Sequence, residues 1–209
     1  MRLAFIGIGN VGFAIANHLQ QKGHEITVAH HNSQSDSVRQ ALTQNPAFTV
    51  KPVQEAVDAA DVVFLATPYF ANAEALKGIA FHGKTLVDCT NPVGPGISHG
   101  LKSERSGSEV VQELAPDARV VKAYTIYGVE NFRDPVFPKY DVKPVMLICG
   151  NDPAAKQQVA QINTDMGYDT LDTGRLDQAL HLEHMTLLWV KMVRRDGHHP
   201  NFVWAYLEK

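Results

Sequence analysis

Cysteine is scarce in this chain: Cys89 and Cys149 are the two in 209 residues, each beside an expected strand and neither in a metal-type pair. A disulfide framework is excluded, and a reduced, cytoplasmic setting is the simplest reading. No apolar run approaches the roughly 20 residues needed to span a bilayer. Residues 1–20 carry nucleotide-fold signals instead of a cleavable leader. Charge of one sign is also lacking. A net charge of −3 gives no electrostatic reason to expect nucleic acid as a partner. Repeats of solenoid period and low-complexity tracts are absent. With 44% hydrophobic and 20% charged residues, the expectation is an ordinary globular protein with a sizeable core.

What is present begins at Gly7-Ile8-Gly9-Asn10-Val11-Gly12. An apolar run, Arg2–Ile6, precedes this stretch, and a segment of helical spacing, Val11–Leu19, follows it. Strand, glycine turn and helix form the context in which G-x-G-x-x-G reads as a dinucleotide-binding loop. Gly7 permits the tight turn, Gly9 lets backbone approach a pyrophosphate, and Gly12 allows helix to pack closely on strand. The helix N-terminus supplies N–H groups and the positive dipole end to phosphate. A glycine turn in a nucleotide-free α/β protein is the plainer alternative.

Downstream, strands are expected at 25–29, 47–50, 61–66, 84–88 and 119–123, alternating with helices near 35–43, 53–57, 72–76 and 108–114. Such alternation predicts a doubly wound, mainly parallel α/β sheet of Rossmann type over residues 1–123. An enzyme built for NAD places an acid at the tip of the second strand. Here the residues are His30-His31-Asn32-Ser33, with no acid before Asp36, which favours NADP; a solvated polar turn is the bland reading. Thr67 and Pro68 end a buried strand at the edge where ligands collect, although a simple strand-ending turn has the same local sequence.

Residues 124–209 are expected to form a small α/β extension on the acceptor side, packed on the same sheet. It comprises a Pro- and aromatic-rich loop at 132–143, strands at 144–150 and 168–171, and a helix capped by Asp152-Pro153. The spacing of Leu176, Ala179, Leu180, Met185, Leu188, Trp189 and Met192 predicts a long amphipathic last helix, whose apolar face is core or a dimer interface.

Taken as a set, Gly7–Gly12, Asp88-Cys89-Thr90-Asn91-Pro92, Ser108-Glu109-Val110-Val111, Val120–Ala123, Ile148–Asp152 and Asp172-Thr173-Gly174 resemble the coenzyme F420-dependent NADP oxidoreductase family. They are also similar to the cytosolic reductase domain of the six-transmembrane metalloreductases. The resemblance implies a Rossmann domain binding NADP(H), with hydride passing to or from a deazaflavin (coenzyme F420) or a flavin (FMN or FAD). It assigns the pyrophosphate to Gly7, Ile8, Gly9, Asn10, Val11 and Gly12, and the 2′-phosphate to His31, Asn32 and Ser33. His31 stands where the family has Arg. Thr67, Pro68, Asn91 and Pro92 would surround the nicotinamide half, and Tyr124, Thr125 and Ile126 would line the acceptor.

No catalytic residue is expected, because hydride transfer between stacked rings needs little acid–base help. His181 and His184 lie three residues apart without the H-E-x-x-H pattern, so a satisfied or solvent-facing pair is the reading, and His198-His199 is read as a surface pair. Two other classes share the N-terminal signature: a 3-hydroxyacid dehydrogenase or imine reductase, and a non-enzymatic NADP(H)-sensing module.

Overall fold

A computed structural model of the chain describes residues 1–30, 32 and 34–209. Among the described residues ten strands are formed: β1 Arg2–Ile6, β2 Glu25–Ala29, β3 Thr49–Lys51, β4 Val62–Leu65, β5 Thr85–Asp88, β6 Val93–Gly94, β7 Ser98–His99, β8 Arg119–Lys122, β9 Val145–Gly150 and β10 Asp169–Asp172. The α-helices are α1 Asn10–Gln21, α2 Asp36–Gln44, α3 Val53–Ala59, α4 Asn72–Ala75, α5 Gly107–Leu114, α6 Val129–Arg133, α7 Pro153–Asp165 and α8 Ala179–Val190. Eight strands make one sheet in the order β10-β9-β8-β5-β4-β1-β2-β3, parallel from β3 through β8. This is the doubly wound Rossmann arrangement, with β8 in sixth place. β9 then joins β8 antiparallel, and β10 joins β9 parallel, so the added pair runs against the rest.

Alternation along the strands builds two apolar layers. Leu3, Phe5, Val62, Phe64, Val87 and Val121 face one layer, where Ile15 and Leu19 of α1 pack, and Phe5 stacks on Phe64 at 4.6 Å between ring centroids. Ala4, Ile6, Val63, Leu65, Leu86 and Val120 face the other, with Val57 of α3 and Val111 of α5. The central strands are apolar on both faces because helices cover both sides. Since β2 and β4 flank β1, consecutive crossovers depart to opposite faces there and open a crevice at the strand ends.

The outer elements follow their local signals. Asp152 caps α7, accepting from the Ala155 N–H at 2.8 Å with Pro153 in the first turn. Ser106 and Glu109 close a reciprocal capping box on α5. Three expectations need correction. Residues 93–99, for which no strand is expected, form the small β6–β7 hairpin. The loop expected from Phe132 is shortened by α6, which reaches Arg133. The last helix is a 3₁₀ turn at Leu176–Gln178, then α8, then a wide π turn at Lys191–Arg195.

The expected apolar face of the last helix is met at Leu176, Ala179 and Trp189, which are buried, and not at Leu188. Ala179, Leu182, Glu183, Thr186, Leu187 and Trp189 are buried, whereas Leu188 is 48% exposed. Apolar spacing alone could not reveal that two polar residues turn inward. Among the described residues no helix is long and apolar enough to cross a membrane.

A methyl group at Gly12 would lie 2.3 Å from the Gly7 carbonyl oxygen and 3.2 Å from Ala66 Cβ. Gly12→Ala is therefore expected to destabilise the fold by about 1–3 kcal/mol despite alanine's better helix propensity, as measured by urea unfolding.

Candidate functional site

The crevice beside β1 holds a cavity of about 410 Å³, walled by Gly7, Ile8, Gly9, His30, Ser37, Thr67 and Pro68 among others. Its floor is the glycine turn. Gly7 has φ +96°, and a side chain there would strike the backbone of Ala66 and Thr67 at 2.6 Å. Beyond Gly9 nothing lies within 4 Å of where a Cβ would be, so backbone is open to a ligand. Gly9 is the N-cap of α1; no side chain caps this terminus and no acid lies in its first turn. Free N–H groups and the positive helix end thus face the cavity mouth, the chemistry a diphosphate requires. Asn10 is exposed, Val11 half-buried and the Ile8 side chain buried, so Ile8 offers backbone only.

The rim at the end of β2 carries no carboxylate among the described residues. His30 Nδ1 accepts from the Asn32 N–H at 2.9 Å, which leaves the ring proton on Nε2, 3.4 Å from Ser35 Oγ. Ser35 Oγ lies 3.5 Å from Ser37 Oγ. Asp36, the nearest acid, is exposed and paired with Arg39. The donors facing the cavity are thus His30 and Ser37. Asn32, assigned to the 2′-phosphate, is exposed outside the cavity wall, its carbonyl accepting from the Gln34 N–H at 2.9 Å. His31 and Ser33, assigned with it, lie outside the described residues.

Thr67 and Pro68 do line the cavity. Asn91 and Pro92 lie on the next strand end, outside that wall. Asn91 Oδ1 is 3.0 Å from Thr186 Oγ1 on α8, and Pro92 is buried. The acceptor-side assignment requires correction. Tyr124, Thr125 and Ile126 have their side chains 1%, 2% and 0% exposed. Tyr124 adopts φ +55° and packs between Phe64 and Phe132, with ring centroids 5.9 Å away in each case. These three residues build the core under the strand ends and present no side-chain surface to a ligand. Burial pushes the Tyr124 phenol well above its usual range.

Behind the crevice lies a charged cluster that sequence reasoning missed. Asp88 ends β5, and Lys122, its register partner, ends β8. Lys122 Nζ is 3.2 Å from Asp88 Oδ2 and 3.2 Å from Glu183 Oε1 of α8, with all three side chains essentially inaccessible. The ammonium also donates to the Thr90 carbonyl. Burial alone would lower the Lys122 pKa, but the two carboxylates outweigh it and hold the group above the ordinary lysine value.

Asp88 further accepts from the Ser108 hydroxyl at 2.6 Å, and from the Thr90 N–H at 2.9 Å and its hydroxyl at 2.7 Å. Glu183 sits at the start of α5, accepting from the N–H groups of Gly107 and Ser108 at 3.0 and 3.3 Å. His99, carried in by the hairpin, lies 2.8 Å from Glu183. The N–H groups of Leu101 and Ser103 point at His99 Nδ1, so the ring is the neutral Nε2–H tautomer and donates to Glu183. The available sequence signal was a charged residue closing each of two apolar strands, Thr85–Asp88 and Arg119–Lys122.

His181 and His184 are exposed, and His184 Nε2 meets Ser103 Oγ at 2.9 Å. Partial burial and the neighbouring His99 keep the His184 ring below the usual histidine pKa. His198 and His199 are exposed as read. Cys149 lies within β9, and both thiols are free and buried. Among the described residues no group of three or more His, Cys, Asp or Glu is arranged to hold a metal ion.

Replacing Lys122 by Met would leave Asp88 and Glu183 buried without their cation, a loss on the order of 3–5 kcal/mol. For the native chain, a raised folded-state pKa means the Lys122 contribution is complete below the ordinary lysine value and declines as pH rises through the higher folded one. Denaturant unfolding of Lys122→Met at neutral pH, and of the native chain up to strongly alkaline pH, checks both.

Residues 2–92 match the family model described as NADP oxidoreductase, coenzyme F420-dependent. Among curated proteins, the metalloreductase STEAP3 of Rattus norvegicus is 28% identical over 189 residues, 89% of this chain. The chain spans 36% of that relative's length. Among solved structures, an Arthrobacter sp. FB24 protein named for F420-dependent NADP reduction aligns over the whole of both chains with a TM-score of 0.79 at 26% identity. A reductive aminase from Aspergillus terreus shares the fold at 16% identity and a TM-score of 0.67, over 92% of this chain and 61% of its own. The glycine turn, the strand order and these likenesses together give the chain a Rossmann-type dinucleotide fold similar to that of the coenzyme F420-dependent NADP oxidoreductases.

Proposed function

We propose that the chain transfers hydride between NADP(H) and a small-molecule deazaflavin (coenzyme F420) or flavin. The observation that carries the coenzyme half is the uncapped start of α1 at Gly9, opening on a cavity whose described rim at His30 and Ser37 bears no acid. An acid at the tip of β2 would repel a 2′-phosphate; neutral donors accept one. NADP(H) supplies the hydride chemistry when bound. The chain's own residues hold it: N–H groups of the α1 terminus for the diphosphate, His30 and Ser37 for the 2′-phosphate, and Thr67 and Pro68 along the opposite wall. Support for the acceptor half comes from the matched family description and the name of the Arthrobacter protein.

Within the described lining, His30 is the titratable group at the cavity. That suits a reaction between two ring systems in which the protein orients the rings and excludes water and performs no proton transfer of its own.

Binding of NADPH at least about tenfold tighter than NADH is expected, a difference of roughly 1.4 kcal/mol. Equal affinities, or tighter NADH, would refute the 2′-phosphate assignment. An anaerobic stopped-flow screen against F420, FMN, FAD and ferric chelates identifies the acceptor, and coenzyme binding without turnover of any of them would favour a sensing module. Gly9→Asp is expected to fold normally, since aspartate is a good N-cap. Its carboxylate would nonetheless occupy the phosphate approach and weaken NADPH by about 100-fold or more; retained affinity by calorimetry would count against the cradle.

A further inference from the structure

A chain of hydrogen bonds leads from the cavity wall to the buried cluster, and its polarity is fixed from the buried end. An Asp88 carboxylate accepts only, so Thr90 Oγ1, 2.7 Å from Asp88 Oδ1, donates its single proton there. Thr90 Oγ1 is then left as an acceptor, which puts Asn72 Nδ2 on that side at 3.0 Å and Asn72 Oδ1 toward Thr67. Thr67 Oγ1 must in turn donate to Asn72 Oδ1, at 2.6 Å. Its lone pairs alone remain for the cavity that Thr67 lines.

Rotating the Thr67 hydroxyl the other way would set its oxygen against the Asn72 carbonyl. Turning the Asn72 amide over would set an NH₂ group against a donating Thr67 and a carbonyl against Thr90, whose proton is already committed. No other arrangement satisfies all four groups. Asn72 and Thr90 are 2% and 3% exposed, so unpaired polar atoms there would be costly.

We propose that Thr67 is a specificity-determining acceptor for a ribose hydroxyl of the bound coenzyme, and that Asn72 and Thr90 are positioning residues that hold it so without reaching the ligand. Phosphate oxygens, which need donors, are turned away from this wall and directed to the α1 terminus. The dinucleotide is thereby registered along the crevice by two features of opposite polarity. This inference rests on the NADP(H) reading above.

The test is a double-mutant cycle on NADPH affinity by calorimetry, with folding checked by thermal melting. Thr67→Val is expected to weaken binding about tenfold, and Thr67→Ser to stay within about twofold of the native chain. Thr90→Val should weaken binding about threefold although it touches no ligand, and Thr90→Ser should restore it. The Thr67→Val/Thr90→Val double variant should bind no more weakly than Thr67→Val alone, because the second change acts only through the first.

Additive losses, or native affinity in either Val variant, would overturn the proposal. Native protein that fails to bind NADPH would instead overturn the coenzyme reading on which it rests. Should Thr90→Val fail to fold, neutron diffraction of the deuterated native protein decides the matter directly. A Thr67 deuteron lying toward Asn72 supports the proposal, and one pointing into the cavity overturns it.

Discussion

One buried ammonium governs this architecture. Lys122 closes strand β8 with its charge between Asp88 of the neighbouring strand and Glu183 of α8, and none of the three reaches water. A buried ion pair is a poor source of net stability, because desolvation offsets most of the attraction, whereas loss of one partner is severe. Its consequence is registry. Asp88 and Lys122 are opposed in the sheet, so a one-residue slip of either strand would strand a charge among apolar side chains. Glu183 gives α8 the same constraint: the helix must present this face to the sheet, even though Leu188 is left outside.

Two carboxylates against one ammonium leave an excess of negative charge, and His99, as a neutral tautomer, does not remove it. The balance comes from backbone. Gly107 and Ser108 at the start of α5 direct their N–H groups at Glu183, so the positive end of this helix offsets the buried carboxylate. Two helix N-termini are thus set apart in this fold. One is closed by Glu183 of α8, and the other opens at Gly9.

Between these two sites the crevice is polarised. At one end are free N–H donors; along the opposite wall is a threonine whose orientation is dictated by Asp88 through Asn72 and Thr90. An asymmetric ligand with phosphates at one place and hydroxyls at another is matched by such a surface. Among the described residues lining the cavity, His30 is the titratable side chain.

Local sequence determined the features whose cause is local. The glycines at 7, 9 and 12, the strand–turn–helix order, the Asp152-Pro153 cap and the acid-free turn after β2 each act within a few residues, so their spacing disclosed the sheet and the open glycine turn. What only tertiary structure decided was which polar residues turn inward. Glu183 and Thr186 fall on the buried face of α8 because Lys122, some sixty residues earlier, and the carbonyl of Thr125 await them there. Tyr124 became core because its left-handed backbone turns the ring onto Phe64 and Phe132. His99 found Glu183 only through the β6–β7 hairpin. Apolar periodicity records how strongly a side chain avoids water. It holds no information on whether a charge has a partner waiting inside, and that partner is supplied by a distant part of the chain.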